Sequence, residues 1–271
     1  MSSLHRVVLS ALMLLAMLSK PILAAERVIS LAPSLTEMML DLRSEDKLVG
    51  LLDGGPRPEG LAAVPSVGDF AQFEMETLLS LQPDLILYWP GSISEIQLTQ
   101  LRQLDVPIYT AHATTMDELA RHFAELGALL GAADYGSELS AQVQQQLQAM
   151  RARYQREVPL RVFYQVWDSP MYTLGGEQII SDALQVCGAQ NIYADLQLAA
   201  PQVSIESVLA RNPDVILLGS ERLAPMWQAW PVLRAVQRQQ VLAVPDHGLE
   251  RPSLQMFAAL ELLCEHLADF Q

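Results

Sequence analysis

The sequence has few basic residues and few aromatic residues, and no residue type dominates it. Among 271 residues, 17 are Lys or Arg and 31 are Asp or Glu, so the formal charge is −14. Binding to nucleic acid requires a basic surface, and this composition therefore argues against it. Aromatic residues make up only 6%, but 51% of the residues are hydrophobic and the mean hydropathy is +0.19, which excludes a disordered chain.

The N-terminal hydrophobic run is too short for a transmembrane anchor. It extends from Val7 to Leu18 behind Arg6, and Lys20 interrupts it before the roughly 20 apolar residues that a bilayer span needs. This pattern predicts a secretory signal peptide over residues 1–25 and an exported protein that is not embedded in a membrane. Cleavage removes two basic residues and no acid, which changes the formal charge to −16.

The chain contains only two cysteines, Cys187 and Cys264. An oxidising compartment outside the cytoplasm allows such a pair to form a disulfide, and we expect this bridge. Two buried free thiols are the alternative. The absence of a C-x-x-C spacing argues against a redox or metal site at these residues.

No motif for catalysis or phosphate binding is present. The sequence lacks G-x-S-x-G, G-x-x-x-x-G-K, G-x-G-x-x-G and H-E-x-x-H patterns, so we predict that the protein is not an enzyme. His112 and His247 follow equivalent predicted strands, from which both can face a ligand site. A metal site that combines them with Asp246 is an alternative that no ligand spacing supports, so we predict neither metal ligands nor a cofactor. His122 and His266 are interpreted as solvent-exposed residues.

Short hydrophobic runs alternate with segments of helical periodicity. Strands are predicted, for example, at residues 27–31 and 84–88, and Ser34 and Glu37 have the spacing of a capping box that opens the first helix. The alternation of strands and helices predicts an α/β fold with parallel or mixed sheets.

One long helix divides the alternating elements into two groups. Residues 132–157 carry apolar side chains at steps of three and four without a Pro, which predicts a solvated connecting helix of about 39 Å. We therefore predict two related α/β lobes, residues 26–131 and 158–271, joined by one long rigid α-helix, with a ligand cleft between the lobes.

One segment of the sequence occurs twice. Met75-Glu-Thr-Leu-Leu-Ser-Leu-Gln-Pro-Asp-Leu-Ile-Leu87 matches Ile205-Glu-Ser-Val-Leu-Ala-Arg-Asn-Pro-Asp-Val-Ile-Leu217 at an offset of 130, and the next strands match at an offset of 135. Glu76 and Glu206 lie in the first helical turn of each copy, where the helix dipole favours a carboxylate. Recognition of both acids by a two-fold symmetric partner is an equally open alternative.

Aromatic residues and glycines are concentrated in loops that follow predicted strands. A ligand binds at the carboxyl ends of the strands in an open α/β sheet, so Trp89 and Trp167 are candidate walls of a ligand site. Packing in the core is the alternative for both of them. It is the favoured interpretation for Trp227 and Trp230, which lie in a helical segment.

Four segments carry a resemblance to a known family: Arg27-Val-Ile-Ser-Leu-Ala-Pro-Ser-Leu-Thr-Glu37, Leu81-Gln-Pro-Asp-Leu85, Val186-Cys-Gly188 and Pro201-Gln-Val-Ser-Ile-Glu-Ser-Val-Leu-Ala210. The chain resembles the substrate-binding proteins of metal-chelate ABC importers over residues 27–268, and among these the periplasmic cobalamin binders. The resemblance implies a periplasmic monomer that captures cobalamin or a related corrinoid and delivers it to an ABC importer. A ferric siderophore or haem is the alternative ligand.

The resemblance also implies roles for individual residues. Glu76 and Glu206 stand where the family docks onto arginines of a dimeric permease, and Cys187 and Cys264 stand where the family has a disulfide. The implied ligand-binding residues are Phe70, Trp89, Gly91, Asp246 and Arg251, together with Trp167, which stands beside a family position that is Val166 here. Two further aromatic positions of the cobalamin binders fall at Gly54 and Ala200, so these two faces are lost.

Overall fold

The N-terminal half of the protein forms a five-stranded parallel sheet. The computed structural model describes residues 24–69 and 73–270, so most of the predicted signal peptide lies outside the described residues. The strand order is β3-β2-β1-β4-β5. The strands are β1 (Val28–Ser30), β2 (Leu48–Asp53), β3 (Ser66–Asp69), β4 (Leu85–Tyr88) and β5 (Ile108–Thr110).

Four α-helices lie in the described part of this half of the chain. They are α1 (Pro33–Asp41), α2 (Met75–Ser80), α3 (Glu95–Leu101) and α4 (Met116–Leu129). Both α3 and α4 begin with a capping box, formed by Ser94 with Gln97 and by Thr115 with Glu118. A short 3-10 helix at Glu45–Lys47 leads into β2.

The capping box predicted at Ser34 and Glu37 is wrong. Helix α1 begins two residues earlier, with Ala32 at the N-cap and Pro33 as its first residue, and no side chain caps it. The N–H groups in the first turn of a helix have no acceptor within the helix. Proline, which has no N–H, is therefore favoured at this position. The carboxylate of Glu37 is buried and bonds to the other half of the protein.

The long helix α5 (Ala133–Tyr154) connects the two halves and lies within the predicted range 132–157. Its 22 residues span about 33 Å. It is less solvated than predicted because it packs closely against α4: a Cβ on Gly136 would lie 2.5 Å from the backbone oxygen of Phe123 and 2.9 Å from the Cα of Gly127. Its buried face consists of Gly136, Leu139, Ser140, Val143, Leu147, Met150 and Tyr154.

The C-terminal half contains a mixed sheet. Its strands are β6 (Leu160–Asp168), β7 (Met171–Thr173), β8 (Ala189–Asn191), β9 (Val215–Leu218) and β10 (Val241–Ala243), in the order β10-β9-β6-β7 with β8 also on β6. Only the β6–β7 pair is antiparallel among these strands. The helices are α6 (Ile179–Val186), α7 (Ile205–Arg211), α8 (Arg234–Gln237), α9 (Leu254–Ala268) and 3-10 helices at Glu221–Ala229 and His247–Glu250. The predicted two-lobed α/β fold is confirmed.

Both copies of the repeated segment have the same structure. In the first copy the carboxylate of Asp84 accepts a hydrogen bond from the backbone N–H of Arg27 at 2.9 Å, and in the second Asp214 accepts one from Arg161 at 3.1 Å. Each Asp thereby ties its own strand, β4 or β9, to the beginning of the neighbouring strand, β1 or β6. Each helix is followed by a residue in the left-handed conformation, Gln82 or Asn212.

The register of the two sheets corrects one offset of the repeat. Ile86 lies opposite Ile108 in the first sheet, and its equivalent Ile216 lies opposite Val241 in the second, so β5 and β10 are 133 residues apart instead of 135. These three-residue strands carry too few side chains for their sequences alone to fix the alignment.

The largest hydrophobic cluster of the core is shared by both lobes. It contains residues of β1 and β4 from the first lobe, residues of β6 and β9 from the second, and the inner faces of α4, α5, α6 and α9. The buried disulfide between Cys187 and Cys264 joins the end of α6 to α9, which confirms the predicted pairing. Trp227 packs against Phe163 in a separate cluster of the second lobe, as predicted. Within the described residues, no helix is both long and apolar enough to cross a bilayer.

Candidate functional site

A cleft of about 740 Å³ lies between the two lobes. Its walls are loops that follow strands, so it occupies the carboxyl edge of the sheets, where open α/β folds bind ligands. From the first lobe it is lined by Ala32, Pro33, Ser34, Gly54, Trp89, Pro90, Gly91, Ser92, His112 and Ala113. From the second lobe it is lined by Glu177, Gln178, Ile179, Ala199, His247, Glu250, Arg251 and Pro252.

The loop after β4 supplies an aromatic wall. Trp89 lines the cleft and also packs against the shared hydrophobic cluster, which fixes the position of its ring. Gly91 lines the cleft with a φ of 88°, a backbone conformation that favours glycine. Apart from the two histidines, Trp89 is the only aromatic residue among the described residues that line the cleft, and small residues such as Gly54 and Ala199 also line it.

Arg251 reaches the cleft from the second lobe and is held by the first. Its Nη1 lies 2.6 Å from Oε1 of Glu37, whose side chain is only 6% exposed. The other carboxylate oxygen of Glu37 accepts a hydrogen bond from the buried Ser253 hydroxyl at 3.1 Å. A carboxylate that sequence analysis assigned to helix capping therefore positions a cleft residue across the lobe boundary.

A second carboxylate of α1 also bonds to the other lobe. Oδ2 of Asp41 accepts a hydrogen bond from the backbone N–H of Leu254 at 2.9 Å, at the first residue of α9. Burial raises the pKa of Asp41 from 3.8 to about 6; this N–H lowers it, and the nearby Glu37 raises it further. The N-terminus of α9 thus meets two acids of α1, and the helix dipole favours negative charge there.

Two histidines line the cleft, one from each lobe. His112 follows β5, and His247 begins the 3-10 helix that follows β10. The side chain of His247 is 71% exposed, and its Nδ1 lies 3.9 Å from Oε2 of Glu250. Within the described residues, no group of three or more His, Cys, Asp or Glu side chains is arranged to hold a metal ion.

His122 is buried, which corrects its interpretation as a solvent-exposed residue. Its Nδ1 lies 2.5 Å from the hydroxyl of Tyr109, and its Nε2 lies 3.0 Å from the backbone oxygen of His112. Tyr109 also donates to Glu125 at 2.7 Å, and burial together with this carboxylate raises the pKa of Tyr109 well above its usual value. The network fixes the backbone of the cleft residue His112.

Three predicted binding residues are not among the described residues that line the cleft. Asp246 caps the 3-10 helix, where its Oδ1 accepts a hydrogen bond from the Gly248 N–H at 2.6 Å. Trp167 is half exposed near the end of β6, and the guanidinium of Arg222 lies over its ring at 4.3 Å. Phe70 lies outside the described residues. Ligand contacts of these three residues stay predictions.

The cleft also contains acids that sequence analysis did not single out. Glu250 accepts a hydrogen bond from the buried Tyr164 hydroxyl at 2.9 Å. Glu177 follows a pair of glycines that pass close to another loop, since a Cβ on Gly175 would collide with the backbone oxygen of Leu198. The adjacent glycines were the available signal, because glycine is used where backbones approach closely.

Glu76 and Glu206 occupy equivalent places in the two lobes. Each is exposed in the first turn of its helix, α2 or α7. Hydrogen bonds from its own backbone N–H and from Ser204 lower the pKa of Glu206. In an alternating α/β fold, a helix that leads into a parallel strand runs antiparallel to it, so its first turn lies at the carboxyl edge of the sheet. Both acids are therefore on the side of the molecule where the cleft opens.

Comparison with known proteins finds relatives along nearly the whole chain. The profile of the periplasmic binding protein family matches residues 28–246. A vitamin B12-binding protein of Vibrio cholerae is 36% identical over 254 residues, which cover 93% of this chain and 92% of that protein. A vitamin B12-binding protein of Yersinia pestis is 31% identical over 265 residues, with 96% and 92% covered.

Solved structures show the same similarity. The periplasmic vitamin B12 binding protein BtuF of Vibrio cholerae matches with a TM-score of 0.82 at 35% identity, over 91% of this chain and 99% of that one. The periplasmic haem binding protein HutB of Vibrio cholerae matches with a TM-score of 0.75 at 22% identity, over 89% and 98%, which shows a shared fold.

Proposed function

Because the chain belongs to the periplasmic binding protein family, we propose that it captures cobalamin or a related corrinoid in the cleft between its lobes and delivers it to an ABC importer. The relatives that are 36% and 31% identical and named for vitamin B12 binding support this ligand. The observation that carries the proposal is the cleft of about 740 Å³, which is within the usual range for small-molecule sites and has walls from both lobes. The family consists of binding proteins, and the chain is not an enzyme.

The cleft offers a corrinoid both apolar and polar contacts. The ring of Trp89 stacks on the macrocycle, and the guanidinium of Arg251 donates hydrogen bonds to the amide side chains at its edge. Phe70, Trp167 and Asp246 add further contacts in this proposal. Because the pair formed by Arg251 and Glu37 already fixes the guanidinium, little conformational freedom is lost on binding.

Calorimetry of the purified chain tests the ligand. We expect saturable heat with cyanocobalamin and with cobinamide, and none with a ferric siderophore or haem. Replacing Trp89 with Ala should weaken corrinoid binding by roughly three- to tenfold, since aromatic stacking contributes about 0.5–1.5 kcal/mol. Trp230→Ala is the matched control outside the cleft. Absence of heat with both corrinoids would refute the proposal. Heat with only the siderophore or only haem would identify that compound as the ligand instead.

Delivery requires a surface that the importer recognises, and we assign this role to Glu76 and Glu206. Both acids are exposed, occupy equivalent positions in related lobes and lie on the side where the cleft opens. A dimeric permease with one basic pocket in each subunit would meet both acids at once.

A double substitution separates docking from ligand binding. Glu76→Gln together with Glu206→Gln should impair corrinoid uptake by cells and leave binding in solution unchanged. Glu95→Gln with Glu221→Gln is a matched control, since these exposed acids also lie in first helical turns. Normal uptake by the first double variant would exclude the docking role, and weaker binding in solution would assign the two acids to the ligand site.

The family and the N-terminal sequence support a periplasmic location. We propose that residues 1–25 direct export and are removed, and that the mature chain is a periplasmic monomer. Recovery from the periplasm of a protein that begins near residue 26 would support this. A product that retains residues 1–25, or a dimer in light scattering, would contradict it.

A further inference from the structure

The donor set of the cleft suits a metal that is already held by a chelate. No described group of residues offers the three or more side chains that a bare metal ion needs. The cleft instead presents single imidazoles, His112 from the first lobe and His247 from the second. A single imidazole is enough to complete the coordination of a metal whose equatorial positions a macrocycle already fills.

His247 has the surroundings of a metal ligand. Its Nδ1 faces Oε2 of Glu250 at 3.9 Å, and Oε1 of that carboxylate accepts a hydrogen bond from Tyr164 at 2.9 Å. Burial and Glu250 raise the pKa of Tyr164 well above its usual value, so the phenol keeps its proton and anchors the carboxylate. The Nδ1 side of the ring therefore faces a carboxylate, and Nε2 lies on the opposite side of the ring. Metal-binding histidines commonly have a carboxylate near the ring nitrogen that does not bind the metal.

His112 differs from His247 in the contacts of its side chain. Its backbone oxygen is 3.0 Å from Nε2 of His122, but none of the contacts found among the described residues orients its own ring. His112 is therefore the matched control on the opposite wall of the same cleft.

We propose that Nε2 of His247 binds the cobalt of the captured corrinoid at an axial position, an inference that rests on the proposed function. The lone pair of Nε2 forms the bond to cobalt and a water molecule leaves. The proton on Nδ1 stays beside Glu250, and the oxidation state of the cobalt does not change. His247 then contributes binding energy that, in the cobalamin binders, aromatic residues at the positions of Gly54 and Ala200 would contribute.

The coordination predicts which corrinoids are preferred. A corrinoid whose axial position carries water exchanges it for the imidazole, whereas one that carries cyanide on both faces does not. The chain should therefore bind diaquacobinamide more tightly than dicyanocobinamide, by about tenfold or more, since each tenfold ratio requires only about 1.4 kcal/mol.

Absorption and paramagnetic resonance spectra test the bond directly. Diaquacobinamide should change its visible spectrum on binding, as it does when imidazole replaces water. Reduced cobinamide, which contains unpaired cobalt(II), should show each cobalt line split into three by one axial nitrogen. Labelling histidine with the spin-one-half nitrogen isotope should turn the three lines into two.

Variants assign the nitrogen to its residue. His247→Ala should abolish the spectral change and make the affinities for the aqua and dicyano forms equal. His112→Ala should retain the spectral change and the preference for the aqua form, and Glu250→Gln should weaken aqua binding on the order of tenfold. Equal affinity for both forms with unchanged spectra would overturn the role of His247 and leave corrinoid capture standing. Absence of binding to any corrinoid would overturn the proposed function itself.

Discussion

Asp41 should destabilise the folded protein at neutral pH, and its replacement with Asn should remove this effect. Its carboxylate is partly buried at the lobe boundary beside Glu37, and burial raises its pKa from 3.8 to about 6. An Asn side chain has nearly the same shape, and its Oδ1 can accept the hydrogen bond that Leu254 now donates. Asp41→Asn therefore removes a charge and keeps the contact with α9.

The sign and size of the effect follow from the two pKa values. Since the folded state holds the proton of Asp41 more firmly than the unfolded state, the free energy of unfolding falls as pH rises from about 4 to about 6 and then levels off. The difference between the pKa values of Asp41 in the folded and unfolded states corresponds to at most about 3 kcal/mol in the free energy of unfolding. The value of about 6 already includes the hydrogen bond from Leu254 at the start of α9, which lowers the pKa of Asp41. We expect Asp41→Asn to raise the free energy of unfolding by about 2 kcal/mol at neutral pH.

Urea unfolding of both proteins between about pH 4 and pH 8 measures this directly. The gain from Asp41→Asn should be present at neutral pH and should shrink to well under about 1 kcal/mol at pH 4, where the folded state holds the proton of Asp41 and the unfolded state holds it about half of the time. Asp134→Asn is the control, because Asp134 is an exposed acid in the first turn of α5. A loss of stability at neutral pH, or a gain of the same size at pH 4, would refute the reasoning.

Three further predictions concern the stability of the fold and the movement of the lobes. Replacing Cys187 and Cys264 with Ser should lower the free energy of unfolding by up to about 4.5 kcal/mol, because the bridge closes a loop of 77 residues. Reduction of the wild type should cause the same loss in urea unfolding. An unchanged free energy of unfolding would contradict this prediction. Gly136→Ala should lower the free energy of unfolding by about 1–3 kcal/mol despite the better helix propensity of Ala, because the added Cβ meets the backbone of α4. The control Ser137→Ala, at an exposed position, should not lower it. Equal stabilities of the two variants would show that α4 and α5 can move apart at little cost. Small-angle scattering should show little change in the radius of gyration when a corrinoid binds, and a large hinge closure would contradict the shared core.

Strands that are hydrophobic runs were predictable from the sequence, and the short strands β3, β7 and β8 were not. Strand β4 is a hydrophobic run that is buried along its whole length, so composition alone identifies it. Strands β3, β7 and β8 contain residues such as Gly68, Thr173 and Gln190 and have only three or four residues each. Their conformation depends on pairing with β2 or β6, which no local pattern reveals.

The parts of the candidate site were predictable to different degrees. Trp89 and Gly91 could be placed in the cleft because they directly follow a recognisable buried strand. Glu37 could not, because its partner Arg251 is 214 residues away in the sequence and a nearby Ser offered a plausible local role. His122 was misjudged for a similar reason: its acidic neighbours suggested solvent, whereas its partner Tyr109 comes from an adjacent strand.

The contact between Glu37 and Arg251 links the ligand site to the arrangement of the lobes. Separating the lobes at this point would leave a carboxylate that is only 6% exposed without its partner, and breaking a buried pair costs on the order of 3–5 kcal/mol, less here because Arg251 is 46% exposed. Spontaneous opening is therefore disfavoured, and a ligand enters a cleft whose walls are already in place. A permease that held Glu76 and Glu206 and moved the lobes apart would break this pair and withdraw Arg251 from the ligand. On the proposed docking, release would thus draw on the energy of the importer, and a high affinity in the periplasm would not oppose delivery.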